Sequence, residues 1–371
     1  MKKIILNSNI LWTITQFRKD LITELKKNYE VICIADEDQF SDNSVEIMQM
    51  LSVQYIRIKL NRKGVNPFGD FFYFLELLKL YKRIKPDLVI HYTIKPNIYG
   101  SLAAKILKIN SFAVVSGLGS TFIKDNFLTK IITTLYKVAL SKTQKVLFLN
   151  QDDREIFLNL NIIKEKQSFV LPGEGVDTEY YHGCDTKNQD EPKIRFLMVA
   201  RLLKDKGVYE YIEAIKNIKS QNVEFLLAGV FDKDNPTSIQ ERELQKWIEE
   251  KTVTYLGKTD NIKEFFQYAD VIVLPSYREG LSRVLLEACS CEKFIVASDI
   301  AGCKELCIDG YNGFLATPKD SASLTLALNK TINLTKSELL SKGKLGRELV
   351  VNHYSASIVN GIYKKLIEEI L

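Results

Sequence analysis

Short apolar runs of four to six residues recur along the chain, each closed by polar or turn-forming residues. They alternate with longer stretches in which apolar residues return every third or fourth position. In the first half, the runs predict strands at Lys3–Asn7, Glu30–Ala35, Val53–Ile58, Leu88–His91, Ser111–Ser116 and Lys145–Leu149. The periodic stretches between them predict helices at Thr15–Lys27, Pro67–Ile84, Tyr99–Leu107 and Leu128–Ser141. Runs that are apolar throughout, rather than at alternate positions, suit strands buried on both faces. Strands that alternate with helices in this way predict a mostly parallel sheet with helices on both sides.

The pattern breaks around Pro172–Glu191, where glycines, aspartates and Pro192 crowd together. This is the best linker candidate. A second series follows, with predicted strands at Ile194–Val199, Val223–Leu227, Thr252–Leu256, Val271–Leu274 and Phe294–Ala297. Predicted helices at Val208–Lys219, Ile239–Glu250, Ile262–Tyr268, Ser282–Cys289 and Ser321–Asn333 separate them, and Ser355–Leu371 closes the chain as one more helix. The expected architecture is α/β: two doubly wound, Rossmann-like domains facing across a cleft. Residues 1–178 and 179–354 form the two domains, and 355–371 crosses back to the first.

A length of 371 residues fits two domains. At 46% hydrophobic and 26% charged, the chain has ample apolar material for cores and the charge of an ordinary soluble protein. No run approaches 18 apolar residues, and the start turns polar too early for a signal peptide. A cytoplasmic location follows as the expectation. The six cysteines read as free thiols in a reducing compartment; Cys289-Ser-Cys291 and Cys303-x-x-x-Cys307 lack the histidine-rich surroundings of a zinc site. The net charge of +5 is uneven: residues 1–178 carry 25 Lys and Arg against 18 Asp and Glu, net +7, and the remainder is −2. A basic first half points to an anionic partner, either a membrane surface or a phosphorylated substrate. Nucleic acid is excluded as the partner by the lack of any Arg-rich helix, zinc finger or RNA-binding aromatic motif.

Candidate chemistry concentrates in the second half. Glu279 and Glu287 are separated by seven residues, directly after the apolar run Val271-Ile272-Val273-Leu274. The first carboxylate would sit past the carboxyl end of a strand, the second about two turns into the next helix. That edge of an open α/β sheet is where ligands bind. Arg201 and Lys206 fall in the strand-to-helix segment Ala200-Arg201-Leu202-Leu203-Lys204-Asp205-Lys206-Gly207. Two cations beside a helix start suit a diphosphate, although a solvated basic loop has the same composition.

Taken together these pieces resemble glycosyltransferase family 4, retaining enzymes of the GT-B fold. The resemblance rests on Arg201 with Lys206-Gly207, on Leu274-Pro275-Ser276-x-x-Glu279-Gly280 through Glu287-Ala288, on Ser298-Asp299 with Gly302 and Glu305, and on Asp309-Gly310-x-Asn312-Gly313-Phe314. It covers the second domain and, more loosely, the first. The resemblance implies that Arg201 and Lys206 grip the diphosphate of a UDP-sugar and that Glu287 binds the ribose hydroxyls. It implies that Glu279 orients the sugar and that backbone N–H groups of Gly280, Leu281 and Ser282 touch phosphate. No metal or other cofactor is implied. The implied acceptor is a lipid-diphosphate-linked saccharide of the kind used by bacterial N-acetylgalactosaminyltransferases that act on undecaprenyl-diphosphate-linked glycans.

The first domain departs from that family. Asn7-Ser8-Asn9 stands where many members have a glycine-rich loop, and Ser116-Gly117-Leu118-Gly119-Ser120 stands where many have a histidine. Ser116 and Gly117 are acceptor-side candidates, either as a small backbone pocket or as a tight turn. His91 and Lys95, after the fourth predicted strand, are the other acceptor-side candidates. Asp36-Glu37-Asp38 and Asp232-Lys233-Asp234 match a short Asp-x-Asp pattern and are read as polar loops rather than metal sites. Phe68–Lys85, aromatic-rich and ending in lysines and an arginine, and Thr121–Lys145 are candidate contacts with an anionic membrane, peripheral at the inner face of the cytoplasmic membrane. Three other readings stay open: a UDP-sugar 2-epimerase on the same fold, a non-catalytic sugar-nucleotide-binding, membrane-associated partner, and a membrane scaffold with a vestigial cleft.

Overall fold

The computed structural model describes residues 1–37, 43–61, 66–118, 127–183, 193–232, 235–259 and 261–371. The chain divides into two compact units. Unit 1 comprises Met1–Gly175 with Ala356–Leu371, and unit 2 comprises Val176–Ser355.

Unit 1 is built on seven strands: β1 (Lys3–Ile10), β2 (Glu30–Asp36), β3 (Gln54–Arg57), β4 (Leu88–Tyr92), β5 (Asn110–Val115), β6 (Lys145–Phe148) and β7 (Ser168–Val170). They lie in the order β3-β2-β1-β4-β5-β6-β7, and every pairing is parallel. Unit 2 has six strands: β8 (Ile194–Val199), β9 (Val223–Ala228), β10 (Thr254–Gly257), β11 (Val271–Leu274), β12 (Phe294–Ser298) and β13 (Gly313–Ala316). Their order is β10-β9-β8-β11-β12-β13, again parallel throughout. In each sheet the order reverses beside the first strand, between β1 and β4 and between β8 and β11. Loops leaving those strands diverge to opposite faces, which opens a ligand crevice at the carboxyl edge.

The apolar runs behave as strands buried on both faces. Val271 and Val273 join one core of unit 2 and Ile272 and Leu274 the other. Phe294 and Val296 pack with the first set, Ile295 and Ala297 with the second. Five elements lack a sequence signal, the short Ser44–Met50 helix among them. The Gln151–Asn159 helix opens on Gln-Asp-Asp-Arg and depends on Asn150, whose side chain caps the Asp153 N–H at 2.7 Å. β7 is a three-residue, half-buried edge strand, and β13 begins with a glycine. The Lys336–His353 helix carries Gly343 where a Cβ would lie 2.0 Å from the Glu292 carbonyl oxygen, so its glycine marks close packing rather than a break.

Two readings of unit 1 are corrected. The predicted Thr15–Lys27 helix is two helices, Leu11–Phe17 and Lys19–Leu25, that meet at Arg18. Leaving helical geometry there (φ −128°) accompanies burial of the Arg18 guanidinium. It donates to the Thr13 carbonyl at 2.7 Å, pairs with Glu174 and stacks 4.2 Å from the centre of the Tyr92 ring. In the Phe127–Leu140 helix, Ile131 and Val138 are exposed beside Lys130 and Lys137. Among the cysteines, Cys33, Cys289, Cys303 and Cys307 are buried free thiols, but Cys291 is disulfide-bonded, so the all-thiol reading fails for it.

His91, expected at the ligand edge, is instead fully buried, because it lies in β4 between strands on both sides. Its Nε2 lies 3.1 Å from the Tyr81 hydroxyl and its Nδ1 3.3 Å from Ser101 Oγ. Tyr81 accepts from Asn7 Nδ2 at 3.0 Å, and Tyr73 donates to Asn7 Oδ1 at 3.4 Å. Asn7, at the position of the family's glycine-rich loop, is thus a core residue tying β1 to the Pro67–Ile84 helix and β4. A Cβ on Gly100 would lie 2.3 Å from the His91 ring.

Burial lowers the His91 pKa to about 3, against a backbone hydrogen bond to Phe112 that works in the other direction. The folded value lies below the unfolded one. The neutral ring therefore contributes stability that is complete above about pH 6.5 and is lost as pH falls. Between pH 7 and pH 5 the wild-type chain is expected to lose about 2 kcal/mol more unfolding free energy than His91→Gln. Urea titrations at the two pH values check this; equal losses would show that His91 is not held neutral.

Candidate active site

Unit 2 gathers the predicted donor residues at its strand reversal. Arg201 and Lys206 follow β8, and Glu279 follows β11. The backbone N–H groups of Ala200 and Leu202 continue the pairing beyond β8, to the carbonyls of Ala228 and Val230 at 3.1 and 2.9 Å. Lys206 ends a 3-10 turn that Gly207 closes at φ +78°, and the Val208–Lys216 helix begins there. A Cβ on Gly207 would lie 2.0 Å from the Pro275 carbonyl oxygen, so a glycine is required for the two loops to touch. The Tyr277 N–H and the Ser276 hydroxyl both donate to the Asp205 carbonyl, at 2.9 and 3.2 Å, and Tyr277 donates to Glu210 at 2.6 Å. Those bonds fix the loop after β11 against the loop after β8.

Their result is a Lys206 Nζ–Glu279 Oε1 pair of 2.5 Å, with side chains 22% and 14% exposed. Lys206 and Glu279 are 73 residues apart in the chain. Arg201 Nη1 donates to Asp232 Oδ2 at 3.1 Å; Arg201 is 52% exposed and Asp232 14%. Neither pair exhausts its cation, since an ammonium has three N–H donors and a guanidinium five. The carboxylates hold the cations in place and leave donors for an anion.

The segment after Glu279 is held from a third side. A Cβ on Gly302 (φ +82°) would meet the Gly280 carbonyl oxygen at 2.7 Å and Glu279 Cβ at 2.8 Å. Gly302 accepts the Ser282 N–H at 2.8 Å and donates its own N–H to Glu305 at 2.7 Å. Ser282 then caps the Arg283–Ser290 helix, its hydroxyl accepting from Leu285 N at 3.3 Å. Of the predicted phosphate donors, Ser282 is therefore committed within the protein, because helix capping and the loop after β12 occupy both its groups. Gly280 and Leu281 stay at the helix entrance.

Glu287 lies inside that helix, 6% exposed. Arg283, one turn earlier, donates from Nε to Oε1 at 2.6 Å. Tyr181 is hydrogen-bonded to Glu287, and burial first, then the charge of Glu287, raises the Tyr181 pKa. A buried carboxylate with one oxygen engaged by arginine is a fixed acceptor suited to a diol. Tyr181 and Glu210 had no sequence signal, and Asp232 was singled out only within an Asp-x-Asp pattern read as a polar loop. Their partners Glu287, Tyr277 and Arg201 lie far from them along the chain, and no spacing rule links them.

In unit 1, Lys95 is 14% exposed and pairs with Asp70 at 2.6 Å, also donating to the Asn61 carbonyl at 2.5 Å. Tyr99 donates to the second Asp70 oxygen at 3.3 Å. Lys95 thus fastens the loop after β4 to the start of the Pro67–Ile84 helix. Ser116 and Gly117 follow β5 and are half-buried, Gly117 at φ +140°; Gly119 and Ser120 lie outside the described residues. Of the Asp-x-Asp candidates, Asp36 accepts from Arg57 Nε at 3.3 Å and from the Leu60 N–H at 2.9 Å, and Asp232 pairs with Arg201. Asp38, Lys233 and Asp234 lie outside the described residues. Among the described residues, no group of three or more His, Cys, Asp or Glu side chains is placed to hold a metal.

Residues 185–342 match the family model for glycosyl transferases group 1, and residues 3–150 match that for glycosyl transferase 4-like proteins. The chain is 29% identical to the N,N'-diacetylbacillosaminyl-diphospho-undecaprenol alpha-1,3-N-acetylgalactosaminyltransferase of Campylobacter jejuni, over 97% of this chain and 96% of that one. It is 25% identical to the capsular polysaccharide biosynthesis glycosyltransferase CapM of Staphylococcus aureus, over 90% and 88%. The crystal structure of Anabaena Alr3699/HepE in complex with UDP is similar at a TM-score of 0.78, with 18% identity and full coverage of both chains. With the two matched regions, the parallel sheets and the GT-B likeness in agreement, the chain is a glycosyltransferase of the GT-B fold, its first half matching the glycosyl transferase 4-like family and its second half glycosyl transferases group 1.

Proposed function

We propose that this enzyme is a retaining transferase that moves a hexose or N-acetylhexosamine from a UDP-sugar to a lipid-diphosphate-linked saccharide in surface polysaccharide or glycan biosynthesis. The observation that carries the donor half is the Lys206–Glu279 pair at the reversal of the second sheet, with Arg201 in the same loop as Lys206. The names of the relatives support the acceptor half: one acts on an undecaprenol-diphosphate-linked sugar and another serves capsular polysaccharide synthesis. The UDP complex of the Anabaena protein supports the nucleotide.

In this reading the diphosphate enters between Arg201 and Lys206 and takes up donors that Asp232 and Glu279 leave unused. As the bond from the anomeric carbon to the diphosphate oxygen breaks, negative charge grows on the leaving group. The two cations stabilise it there, the role a metal plays in other transferases. Glu287 receives the ribose hydroxyls, and Glu279 orients the sugar beside Lys206. The acceptor hydroxyl approaches from the same face as the departing phosphate, which takes its proton, so the anomeric configuration is kept. Reaction without a metal cofactor is part of the proposal. So is a location on the cytoplasmic side, peripheral to the membrane that carries the acceptor. Among the described residues no helix is long and apolar enough to cross a membrane. The epimerase alternative, which calls for histidines at the sugar, is weakened by the burial of His91.

A panel of UDP-sugars offered with an undecaprenyl-diphosphate-linked saccharide should give one product heavier by a single sugar residue in mass spectrometry. UDP binding without transfer from any donor would favour the non-catalytic reading. Transfer should persist in EDTA; its loss and recovery with a divalent cation would overturn the metal-free mechanism. Lys206→Ala and Glu279→Ala should each lower turnover by about 10²–10³-fold, with melting temperatures close to wild type. Wild-type turnover in both would show that the site is elsewhere.

A further inference from the structure

The Pro67–Ile84 helix buries Asp70, Tyr73, Leu77, Leu80 and Tyr81 against unit 1. Its outward face is unusual. Phe68, Phe71 and Phe72 are 82%, 55% and 67% exposed, and no other five-residue span among the described residues holds three exposed large hydrophobic side chains. The Phe71 and Phe72 rings sit edge to face, 6.3 Å apart. At 100° per residue, Phe68, Phe72, Leu75, Lys79 and Lys82 fall on one stripe, with Phe71 and Arg83 on its flanks. Lys79, Lys82 and Arg83 are exposed and have no acidic partner among the described residues. One face of an 18-residue helix, about 27 Å long, is therefore aromatic in its first two turns and cationic in its last two.

We propose that this face lies on an anionic phospholipid surface, with Phe68, Phe71 and Phe72 seated among the headgroups and Lys79, Lys82 and Arg83 against lipid phosphates. Apolar contact and charge then act together, and neither suffices alone for lasting attachment. A second copy of the chain fits less well, because the first 178 residues carry a net +7 and the same cations would face one another. The helix starts at the carboxyl edge of the first sheet, where Asp70 holds Lys95. A cavity of about 410 Å³ opens there, lined by Arg57, Lys59, Asn61, Gly69, Phe72 and Glu76 among others. With Phe72 in the headgroup layer, that cavity meets the membrane at the depth of a lipid-linked diphosphate. The inference extends the lipid-linked reading above and rests on it for the choice of a membrane as partner.

Flotation with vesicles tests it on the full chain. Wild type should float with phosphatidylcholine vesicles containing phosphatidylglycerol, and less so in high salt. Phe68→Ser, Phe71→Ser and Phe72→Ser together should weaken flotation about tenfold or more. Lys79→Gln, Lys82→Gln and Arg83→Gln together should weaken it about tenfold or more and remove the salt dependence. Both variants should keep wild-type UDP affinity by calorimetry and wild-type melting. Wild type that does not float, or a phenylalanine variant that floats equally well, overturns the proposal. Wild type that fails to float but dissociates to monomers only when the phenylalanines are changed assigns the face to self-association, which also overturns it. Failure of transfer to every lipid-linked acceptor, with phenylalanine-dependent flotation intact, removes the acceptor reading and leaves the surface.

Discussion

A parallel strand buried on both faces cannot turn back to its neighbour; it must cross over, most often through a helix. Every strand pairing in both sheets of this chain is parallel, and every connection between successive strands of a sheet carries a helix except that from β12 to β13, which is made of turns. Parallel pairing sends all strand-to-helix loops of a sheet to one edge, and the reversal beside the first strand separates two of them. In unit 2 those two loops are the ones that carry Arg201 with Lys206 and Glu279. The geometry of the candidate site is thus a by-product of how apolar strands can be buried, and the side chains are supplied to a crevice the sheet already makes.

Holding the crevice ready is an electrostatic task. Two cations without counter-charges would repel each other and scatter in solvent. Here each is matched with a carboxylate, Asp232 for Arg201 and Glu279 for Lys206. The pairs are partly exposed, so they contribute little to stability. Their value is positional: each carboxylate fixes its cation while leaving further N–H donors of that cation unused. Lys95 shows the opposite outcome. Its pair with Asp70 is more buried and also engages a backbone carbonyl, so this lysine serves to join a loop to a helix.

The sequence was legible where one local rule decides the outcome. Ile194–Val199 and Val271–Leu274 are continuous apolar runs and form strands over those same residues. Pro67 after Asn66 starts a helix where the Asn66 cap and proline rules place it. Arg201, Lys206 and Glu279 were readable because their loops follow such strands. The pairing of Asp232 with Arg201, and the parts played by Tyr181 and Asp70, were not, since the partners lie far along the chain and long-range pairing leaves no spacing to detect. His91 misled because a polar residue at a strand end suggests an edge. Its flanks, Leu88-Val89-Ile90 and Tyr92, are all fully buried, and the histidine shares their environment.

Unit 2 is inserted into unit 1: the chain leaves at Gly175 and returns at Ala356. The returning Ala356–Glu368 helix buries Val359, Tyr363, Leu366 and Ile367, and Tyr363 shares the surroundings of Tyr92, Arg18 and Glu174. During synthesis, therefore, all of unit 2 leaves the ribosome before the segment that completes unit 1. Unit 2 can mature while unit 1 still lacks a wall. The seal that ends this interval joins Tyr363 to the same neighbourhood as Glu174, one residue before the chain first departs, so a single patch both opens and closes the insertion.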